Sequence, residues 1–240
     1  MHFLVLQHKN IEPPARLADA LSRGGHGIEA CHVEQMPVPE SLSGYDGLIV
    51  MGGPQSANDE HLPYIRDELA LLERAIGEDF PVLGICLGAQ LLAKAGQALI
   101  TRSPVWELGW YPVFPTPASA GDPLFSVLPE AGLCIFQWHG ETFSLPPGAM
   151  LLAHHPNVPN QAFRLGSCQY GLQFHAEVDE QIIERWIGAG DDERRHLGPD
   201  GILEIREYMT RIDPMHAFCE GLMQAWMRLC ETRRDQEREP

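Results

Sequence analysis

The segment around Cys86 has the composition of a nucleophile at a strand-to-helix turn. Cys86 stands between Gly84 and Gly88, where an apolar run ends and a helical pattern begins. A sharp turn there lifts the sulfur out of a sheet, and the glycines leave room for the bend and for a substrate. The N-terminus of the following helix favours the thiolate, and the Leu87 N–H is placed to donate to an oxyanion. An isolated cysteine is usually a small buried core residue, but the double glycine frame favours a nucleophile.

A second segment supplies the acid–base partner that such a thiolate needs. A nucleophile that attacks an amide requires a proton donor for the departing amine, and histidine is the usual donor. His175 and Glu177 lie two residues apart, so in an extended backbone they point to the same side. The carboxylate would then hold the imidazole in its useful tautomer. His-x-Glu alone is weak evidence, because such a histidine is more often structural, and its co-occurrence with the cysteine frame gives it weight.

Together the two segments resemble the motifs of the class I, or triad, glutamine amidotransferases. The family's G-x-C-x-G-x-Q motif is present at residues 84–90, and its Q-F-H-P-E motif at residues 173–177 with Ala176 in place of proline. The resemblance covers roughly residues 1–190 and indicates a stand-alone member similar to the glutaminase domain of GMP synthase. It implies that the catalytic residues are Cys86, His175 and Glu177.

The resemblance also implies an oxyanion hole and a substrate pocket. The G-G-P segment at residues 52–54 matches the family's oxyanion strand, so the Gly53 N–H becomes the second donor beside that of Leu87. Residues 136–141 are similar to the segment that holds the amino-acid head group of glutamine, although Trp138 replaces a serine that is usual in the GMP synthase group. The substrate-binding residues predicted in this way are Gly52, Gly88, Gln90, Gln137, Trp138 and His139.

These assignments predict an enzyme that hydrolyses the side-chain amide of glutamine. The Cys86 thiolate attacks the amide carbon, His175 protonates the leaving ammonia, and water then releases glutamate from the thioester. The assignments imply no cofactor. Members of the family normally deliver ammonia to a synthase active site, and nothing after residue 190 resembles an acceptor domain. We therefore expect a separate synthase subunit to receive the ammonia.

Three alternatives remain open at this point. A γ-glutamyl hydrolase or peptidase would form the same thioester from a γ-glutamyl amide larger than glutamine. A regulatory protein on a retired scaffold is opposed by the intact Cys86, His175 and Glu177. A thiol hydrolase acting on esters would share the cysteine turn but would leave Gln90 and the second motif unexplained.

The elements that must position these residues follow from the alternation of short apolar and amphipathic segments. The segments predicted as strands are 2–7, 28–33, 46–51 and 81–85, and those predicted as helices are 13–23, 64–76 and 89–95. Residues 98–174 are strand-like and rich in turns. This order predicts an α/β fold with a mostly parallel open sheet and helices on both faces, which the resemblance specifies as flavodoxin-like. We expect a catalytic domain at residues 1–190 and a helical C-terminal extension at 191–240.

Two further groups of residues have simpler interpretations. His8, Lys9 and Glu12 follow the first strand at an edge where open α/β sheets often bind ligands, yet loop solvation explains them as well. An apolar stripe at helical spacing predicts core or subunit packing. Its members are Phe218, Leu222, Trp226 and Leu229.

The composition excludes some partners. The 33 acidic and 17 basic residues give a net charge of -16, which disfavours nucleic acid and anionic membranes as partners. The sequence holds no long apolar run and no export signal, so we expect no membrane span and a cytoplasmic location. The six cysteines are widely spread and the histidines lack ligand spacing, so we expect free thiols and no metal site. A homo-oligomer is neither required nor excluded.

Overall fold

The computed structural model describes residues 1–209 and 212–238, which form a mixed sheet with helices packed on both faces. The strands in this part of the chain are β1 (His2–Gln7), β2 (Gly27–His32), β3 (Gly47–Val50), β4 (Val82–Ile85), β5 (Ile100–Pro115), β6 (Leu133–Phe143), β7 (Met150–His154), β8 (Ala162–Leu165) and β9 (Gln169–Leu172). The helices are α1 (Ala15–Arg23), α2 (Pro63–Gly77), α3 (Leu87–Ala95), α4 (Glu180–Ala189), α5 (Asp191–Met209) and α6 (Asp213–Arg238).

The sheet has a parallel half and an antiparallel half. Its strand order is β2-β1-β3-β4-β9-β8-β7-β5-β6. The strands from β2 to β9 in this order pair in parallel, and every pair beyond β9 is antiparallel. The α/β class is confirmed, whereas the sheet is less parallel than predicted. The connection between β8 and β9 is too short for the crossover that a parallel pair needs.

Successive residues of a strand face opposite sides of the sheet, so the apolar strands of the parallel half have apolar side chains on both faces. Helices cover both faces. In β1, Phe3 and Val5 belong to the core beneath α1, α4 and α6, while Leu4 and Leu6 belong to the core beneath α2 and α3. All four side chains are fully buried. This burial on both faces explains the uninterrupted apolar runs of the parallel strands.

The parallel strands end at one edge of the sheet, and the residues that could do chemistry follow them there. His8 comes directly after β1, Gly52 shortly after β3, Cys86 directly after β4 and His175 shortly after β9. Ligands bind in open α/β sheets at this carboxyl edge. The topology therefore gathers side chains that are far apart in sequence.

The C-terminal helices pack on the rest of the chain. Trp226 of α6 is fully buried, with its ring centroid 5.3 Å from that of Phe3 in β1. In α5 the backbone breaks at Gly198, where φ is 63° just before Pro199, and further along the Trp110 indole N–H donates to the Ile205 carbonyl at 3.1 Å. The prediction of helices in 191–240 holds for the described residues, and residues 210, 211, 239 and 240 lie outside them. The boundary at residue 190 stays a prediction.

The length and polarity of the helices bear on the predicted absence of a membrane span. Among the described residues, no helix combines the length and the apolarity needed to cross a bilayer.

Candidate active site

Cys86 occupies a strained turn between β4 and α3. Its backbone has φ 50° and ψ -105°, a conformation that residues other than glycine rarely adopt. The Cys86 N–H donates to the Leu172 carbonyl of β9 at 2.7 Å, which ties the turn to the neighbouring strand. Strain of this kind persists only where the surroundings enforce it, and such positions cluster at functional sites.

The flanking glycines are required by packing. A β-carbon on Gly88 would lie 2.0 Å from the Val50 carbonyl oxygen of β3, and one on Gly84 would lie 2.5 Å from the Gly88 oxygen. Both distances are far inside van der Waals contact. The start of α3 can therefore press against the sheet only because both positions lack a side chain.

The sulfur of Cys86 lies among polar groups from β6 and from the segment that follows β9. Cys86 is 6% exposed. The Gln173 Nε2 lies 3.7 Å and the Trp138 carbonyl oxygen 3.9 Å from its Sγ. His175 lies close by, because its Cε1 and the Cys86 β-carbon would be 3.1 and 3.6 Å from a β-carbon on Gly52. The structure thus brings together Cys86 and His175, which are far apart in the sequence.

His175 is held on its far side by Glu177. The Nδ1 atom donates to the Glu177 Oε1 at 2.7 Å, which leaves Nε2 for the sulfur, and the Trp186 ring packs against the imidazole at a centroid distance of 4.7 Å. Burial lowers the pKa of His175, but the charges of Glu177 and Cys86 outweigh it and raise that pKa well above 6.5. The imidazole is therefore held in its protonated form over a wide pH range.

A buried ion pair fixes the peptide between Gly52 and Gly53. The His8 Nδ1 donates to the Gly52 carbonyl at 3.0 Å, and its Nε2 donates to the Glu68 Oε1 at 3.1 Å. Both partners only accept, so both ring nitrogens carry protons. Burial lowers the pKa of His8, but Glu68 reverses the shift and raises it. In a trans peptide the N–H points opposite to the C=O, so the Gly53 N–H is directed away from His8.

The orientation of this peptide leaves the Gly53 N–H unused by the fold. Within residues 1–209 and 212–238, no backbone or side-chain acceptor takes that hydrogen. Leu87, the first residue of α3, has its N–H in the first helical turn, where hydrogens lack partners in the helix itself. The two residues predicted for an oxyanion hole are neighbours, since a β-carbon on Gly53 would be 2.8 Å from the Leu87 Cδ2, and their role stays a prediction.

The predicted substrate residues fall into two groups. Gly52 and Trp138 lie against the reacting residues, since a β-carbon on Gly52 would be 3.6 Å from the Cys86 β-carbon and the Trp138 oxygen faces the sulfur. The Gln90 amide is buried and donates to the Glu141 oxygen and the Gln173 Oε1, both at 3.2 Å. Their roles toward a substrate stay predictions.

Gln137 and His139 point into a buried network behind the strand that carries Trp138. The His139 Nε2 lies 3.1 Å from the Glu107 Oε2, and the Gln137 Nε2 donates to the Gln161 Oε1 at 2.6 Å. Glu107 is fully buried and also has the His155 Nδ1 within 2.6 Å. These contacts brace β5 and β6. Sequence reasoning missed the position of Glu107, whose partners come from three separate segments.

Glu12 is a second residue whose position near His175 could not be predicted from the sequence. It lies in the loop after β1, and a β-carbon on Gly52 would be 3.1 Å from both its Oε2 and the His175 Cε1. Burial raises the pKa of the Glu12 carboxyl to about 7, although His175 and His8 pull it down. The available signal was its position after the first strand, at the carboxyl edge of the sheet.

The described residues hold no cluster of three or more histidine, cysteine, aspartate or glutamate side chains that could bind a metal. The site contains a thiol, an imidazole with a carboxylate on one nitrogen, and backbone N–H groups without partners, which are groups that acyl transfer can use.

Comparison with known sequences relates the chain to one family. The class-I glutamine amidotransferase family matches residues 16–182. The glutamine amidotransferase-like protein YfeJ of Salmonella typhimurium is 34% identical over 192 residues, which are 78% of this chain and 79% of that protein. The glutamine-hydrolysing GMP synthase of Porphyromonas gingivalis is 36% identical over 143 residues, or 59% of this chain, and the match spans only 26% of that enzyme.

Solved structures give the same result. A glutamine amidotransferase from Methylobacillus flagellatus superposes with a TM-score of 0.86 at 30% identity, covering 94% of each chain. A glutamine amidotransferase from Thermotoga maritima gives a TM-score of 0.83 at 28% identity, covering 96% of this chain and 97% of that one. The likeness therefore includes the C-terminal helices as well as the sheet.

Proposed function

This chain belongs to the class-I glutamine amidotransferase family, and from that membership and the geometry of its site we propose that it hydrolyses glutamine through a thioester on Cys86. The family is one of enzymes that use a cysteine nucleophile on the glutamine side-chain amide. The observation that carries the proposal is the position of His175, which lies beside Cys86 and has its Nδ1 2.7 Å from the Glu177 carboxylate.

In the proposed reaction His175 moves the protons. The thiolate attacks the amide carbon, and His175 gives its Nε2 proton to the nitrogen as the C–N bond breaks and ammonia leaves. The imidazole then takes a proton from water, whose oxygen attacks the thioester and releases glutamate. Glu177 keeps Nδ1 protonated throughout and stabilises the charged ring.

We assign the oxyanion hole to the N–H groups of Gly53 and Leu87. Support for this comes from His8, which holds the Gly52 carbonyl and so turns the Gly53 N–H away from itself. A donor that is aimed before the substrate arrives needs no reorganisation during the reaction, and removal of one such donor commonly slows catalysis by about 10²–10³-fold.

The remaining parts of the site are assigned to binding the glutamine head group. Trp138 and Gly52 border the reacting atoms, and Gln90 and Gln173 form a pair of amides next to the sulfur. In this assignment Gln137 and His139 do not touch the substrate. They hold β6, which carries Trp138, in place through their hydrogen bonds with each other and with Glu107. Gly88 contributes by letting α3 approach β3.

A separate protein is the proposed acceptor of the ammonia. In the GMP synthase of Porphyromonas gingivalis the region similar to this chain spans about a quarter of the enzyme. We infer that a synthase subunit takes the product of this chain. Glutamine turnover of the purified chain, measured with and without the proteins that co-purify with it, tests this, because a true acceptor subunit raises the rate and an unrelated one leaves it unchanged.

Steady-state release of glutamate from glutamine tests the proposed chemistry. We expect the Cys86→Ala variant to lose all measurable turnover, because the thiol that lies beside His175 is the proposed nucleophile. Cys134→Ala is the matched control, since Cys134 is an exposed free thiol on β6. If Cys86→Ala keeps near-normal turnover, Cys86 takes no part in the reaction.

A further inference from the structure

The Glu12 carboxyl borders the reacting groups but has no part in the mechanism above. Its Oε2 and the His175 Cε1 are each 3.1 Å from the point where a Gly52 β-carbon would lie, so these two atoms are no more than about 6 Å apart. The Cys86 β-carbon is 3.6 Å from the same point. Among the described side chains, none donates a hydrogen bond to this carboxyl. Glu12 is therefore a free acceptor at the active-site wall.

The loop that carries Glu12 is held firmly against the catalytic residues. The Ile11 carbonyl accepts the Trp186 indole N–H at 2.7 Å, and Trp186 itself packs on His175. On the far side of Glu12, the Arg16 N–H donates to the Glu177 carbonyl at 3.3 Å. Because the loop is pinned on both sides, its carboxyl has a defined position relative to the imidazole.

Glu12 lies near the imidazole edge that protonates the departing amine in the proposed reaction. In the tetrahedral intermediate the oxygen faces the Gly53 and Leu87 N–H groups, and the nitrogen faces the His175 Nε2. As the C–N bond breaks, its electron pair goes to nitrogen, which takes the Nε2 proton, and the carbonyl of the thioester re-forms. Because Cε1 is bonded to Nε2, a substituent on that nitrogen comes within reach of the Glu12 carboxyl, whose Oε2 is no more than about 6 Å from Cε1.

A carboxylate at this position discriminates between leaving amines by charge. It tolerates an amine without negative charge, whether that amine leaves neutral or takes a further proton and becomes positive, and it repels an amine that carries its own carboxylate. Ammonia is of the first kind. The leaving amino acid of a γ-glutamyl dipeptide is of the second kind, because its carboxylate is bound to the carbon next to the nitrogen.

We propose that Glu12 is a specificity-determining residue, which selects glutamine and γ-glutamyl amides with neutral or cationic leaving amines against γ-glutamyl amino acids. The proposal rests on the proposed function and decides between glutamine and γ-glutamyl dipeptides as its substrate class. The charged and titratable groups that face Glu12 are His8 and Lys9 on its own loop, and His175 and Glu177 after β9.

Two substrates that differ in one charge test this proposal: γ-glutamylglycine, whose leaving amine is anionic, and γ-glutamylglycinamide, whose leaving amine is neutral. We compare kcat/KM for the pair, or their inhibition constants against glutamine where turnover is too slow. In the wild-type chain the amide is favoured, and Glu12→Gln reduces that preference by about tenfold or more, since the variant removes one charge within reach of the leaving group. Glu34→Gln is the control, because Glu34 is a half-exposed carboxylate at the same sheet edge and pairs with Lys9.

The wild-type chain alone provides a second readout. Because burial raises the pKa of Glu12 to about 7, the carboxyl is mostly neutral at pH 6 and ionised at pH 8. The preference for the amide should therefore grow as the pH rises from 6 to 8, and it should be flat in Glu12→Gln. An unchanged preference in Glu12→Gln, or an equal change in Glu34→Gln, overturns the role of Glu12. Loss of the proposed function is a different result, in which glutamine is not hydrolysed or Cys86→Ala still hydrolyses it.

Discussion

The His175 imidazole, which we propose is catalytic, has two carboxyl groups near it in different positions. Glu177 accepts the Nδ1 proton directly at 2.7 Å, whereas Glu12 lies near the Cε1 edge without a hydrogen bond to the ring. The first carboxylate can set the tautomer and the charge of His175, and the second can act only through space. Single-residue variants separate these effects because each carboxyl can be made neutral with an isosteric amide.

For Glu177→Gln we expect the alkaline limb of the kcat/KM profile to move to lower pH. Glu177 helps to raise the pKa of His175 well above 6.5, so its loss lowers that pKa, and the imidazolium proton is lost earlier as the pH rises. Activity should fall less than in His175→Ala, because Glu177 orients the ring and transfers no proton. Full pH profiles of both variants measure this. An alkaline limb that stays in place, or equal losses in the two variants, contradicts the assigned roles.

For His8→Ala we expect kcat to fall by about 10²-fold with little change in KM. The variant frees the Gly52 carbonyl and lets the Gly53 peptide rotate, which removes a donor that acts on the transition state. His8→Gln, whose amide can still donate to that carbonyl, should recover part of the rate. His32→Gln is the control from the end of β2. A loss that appears in KM alone would assign His8 to substrate binding.

Sequence motifs indicate the proposed triad residues, but they do not indicate the residues that hold the triad residues in place. Cys86, His175 and Glu177 sit in short motifs whose spacing alone indicates chemistry. His8 and Glu12 belong to no motif, because His8 is placed by its contact with Glu68, 60 positions away, and Glu12 by its proximity to His175. Contacts of this range depend on the fold, so composition and spacing could not show them.

At the scale of elements, the junction of β3, β4 and α3 decides how the nucleophile is held. A β-carbon on Gly88 would lie 2.0 Å from the Val50 oxygen, so Gly88→Ala must push α3 away from the sheet. We expect a loss of about 1–3 kcal/mol in the free energy of unfolding from overpacking, together with a large fall in kcat because the Leu87 N–H moves. Chemical denaturation and glutamine turnover measure the two effects.

Gly77→Ala is the control for that variant. Gly77 ends α2, and a β-carbon there would meet nothing within 4 Å. We expect unchanged turnover and a gain of at most about 1 kcal/mol, because alanine favours helix over glycine. If Gly88→Ala and Gly77→Ala have the same turnover and the same free energy of unfolding, the close approach of α3 to β3 does not explain why residue 88 is glycine.

The first elements of the chain could be predicted because their signals are local. The predicted strands and helices up to residue 95 match β1–β4 and α1–α3 within about two residues, since apolar runs and helical spacing alternate clearly there. The pairing of the later strands could not be read in the same way. Within the strand-like residues 98–174, β5 is one long strand, Ile100–Pro115, whose pairing with β6 shifts register between Arg102 and Glu107. Such an irregularity interrupts the pattern that marks a strand.

At the scale of the whole molecule, the C-terminal helices and the sheet share one core. The predicted apolar stripe is confirmed as core packing at Phe218, Leu222 and Trp226, which belong to the same buried cluster as Phe3 and Ile49. The sequence predicts helices in residues 191–240 but does not predict which surface they pack on, because helical spacing of apolar residues does not identify the packing partner. The proposed division at residue 190 therefore rests on sequence motifs. Whether residues 191–240 unfold separately from the sheet is a question for denaturation.

For Trp226→Ala we expect a loss of about 3–5 kcal/mol in the free energy of unfolding, as is common for a large buried side chain. Trp106→Ala is the matched control, because Trp106 is 41% exposed, and its loss should be much smaller. If α6 and the sheet fold together, denaturation monitored by two probes stays a single transition. Two separate transitions would instead support residues 191–240 as an independent unit.

In the proposed reaction the Cys86 sulfur attacks the glutamine side chain with the help of His175. A diazoketone analogue of glutamine tests it most directly, because it alkylates a nucleophile that accepts the glutamine skeleton. Mass spectrometry of the digested protein should find one label on Cys86, excess glutamine should prevent it, and His175→Ala should slow it strongly. Hydrolysis of glutamine by a chain in which Cys86 stays unlabelled would contradict the claim.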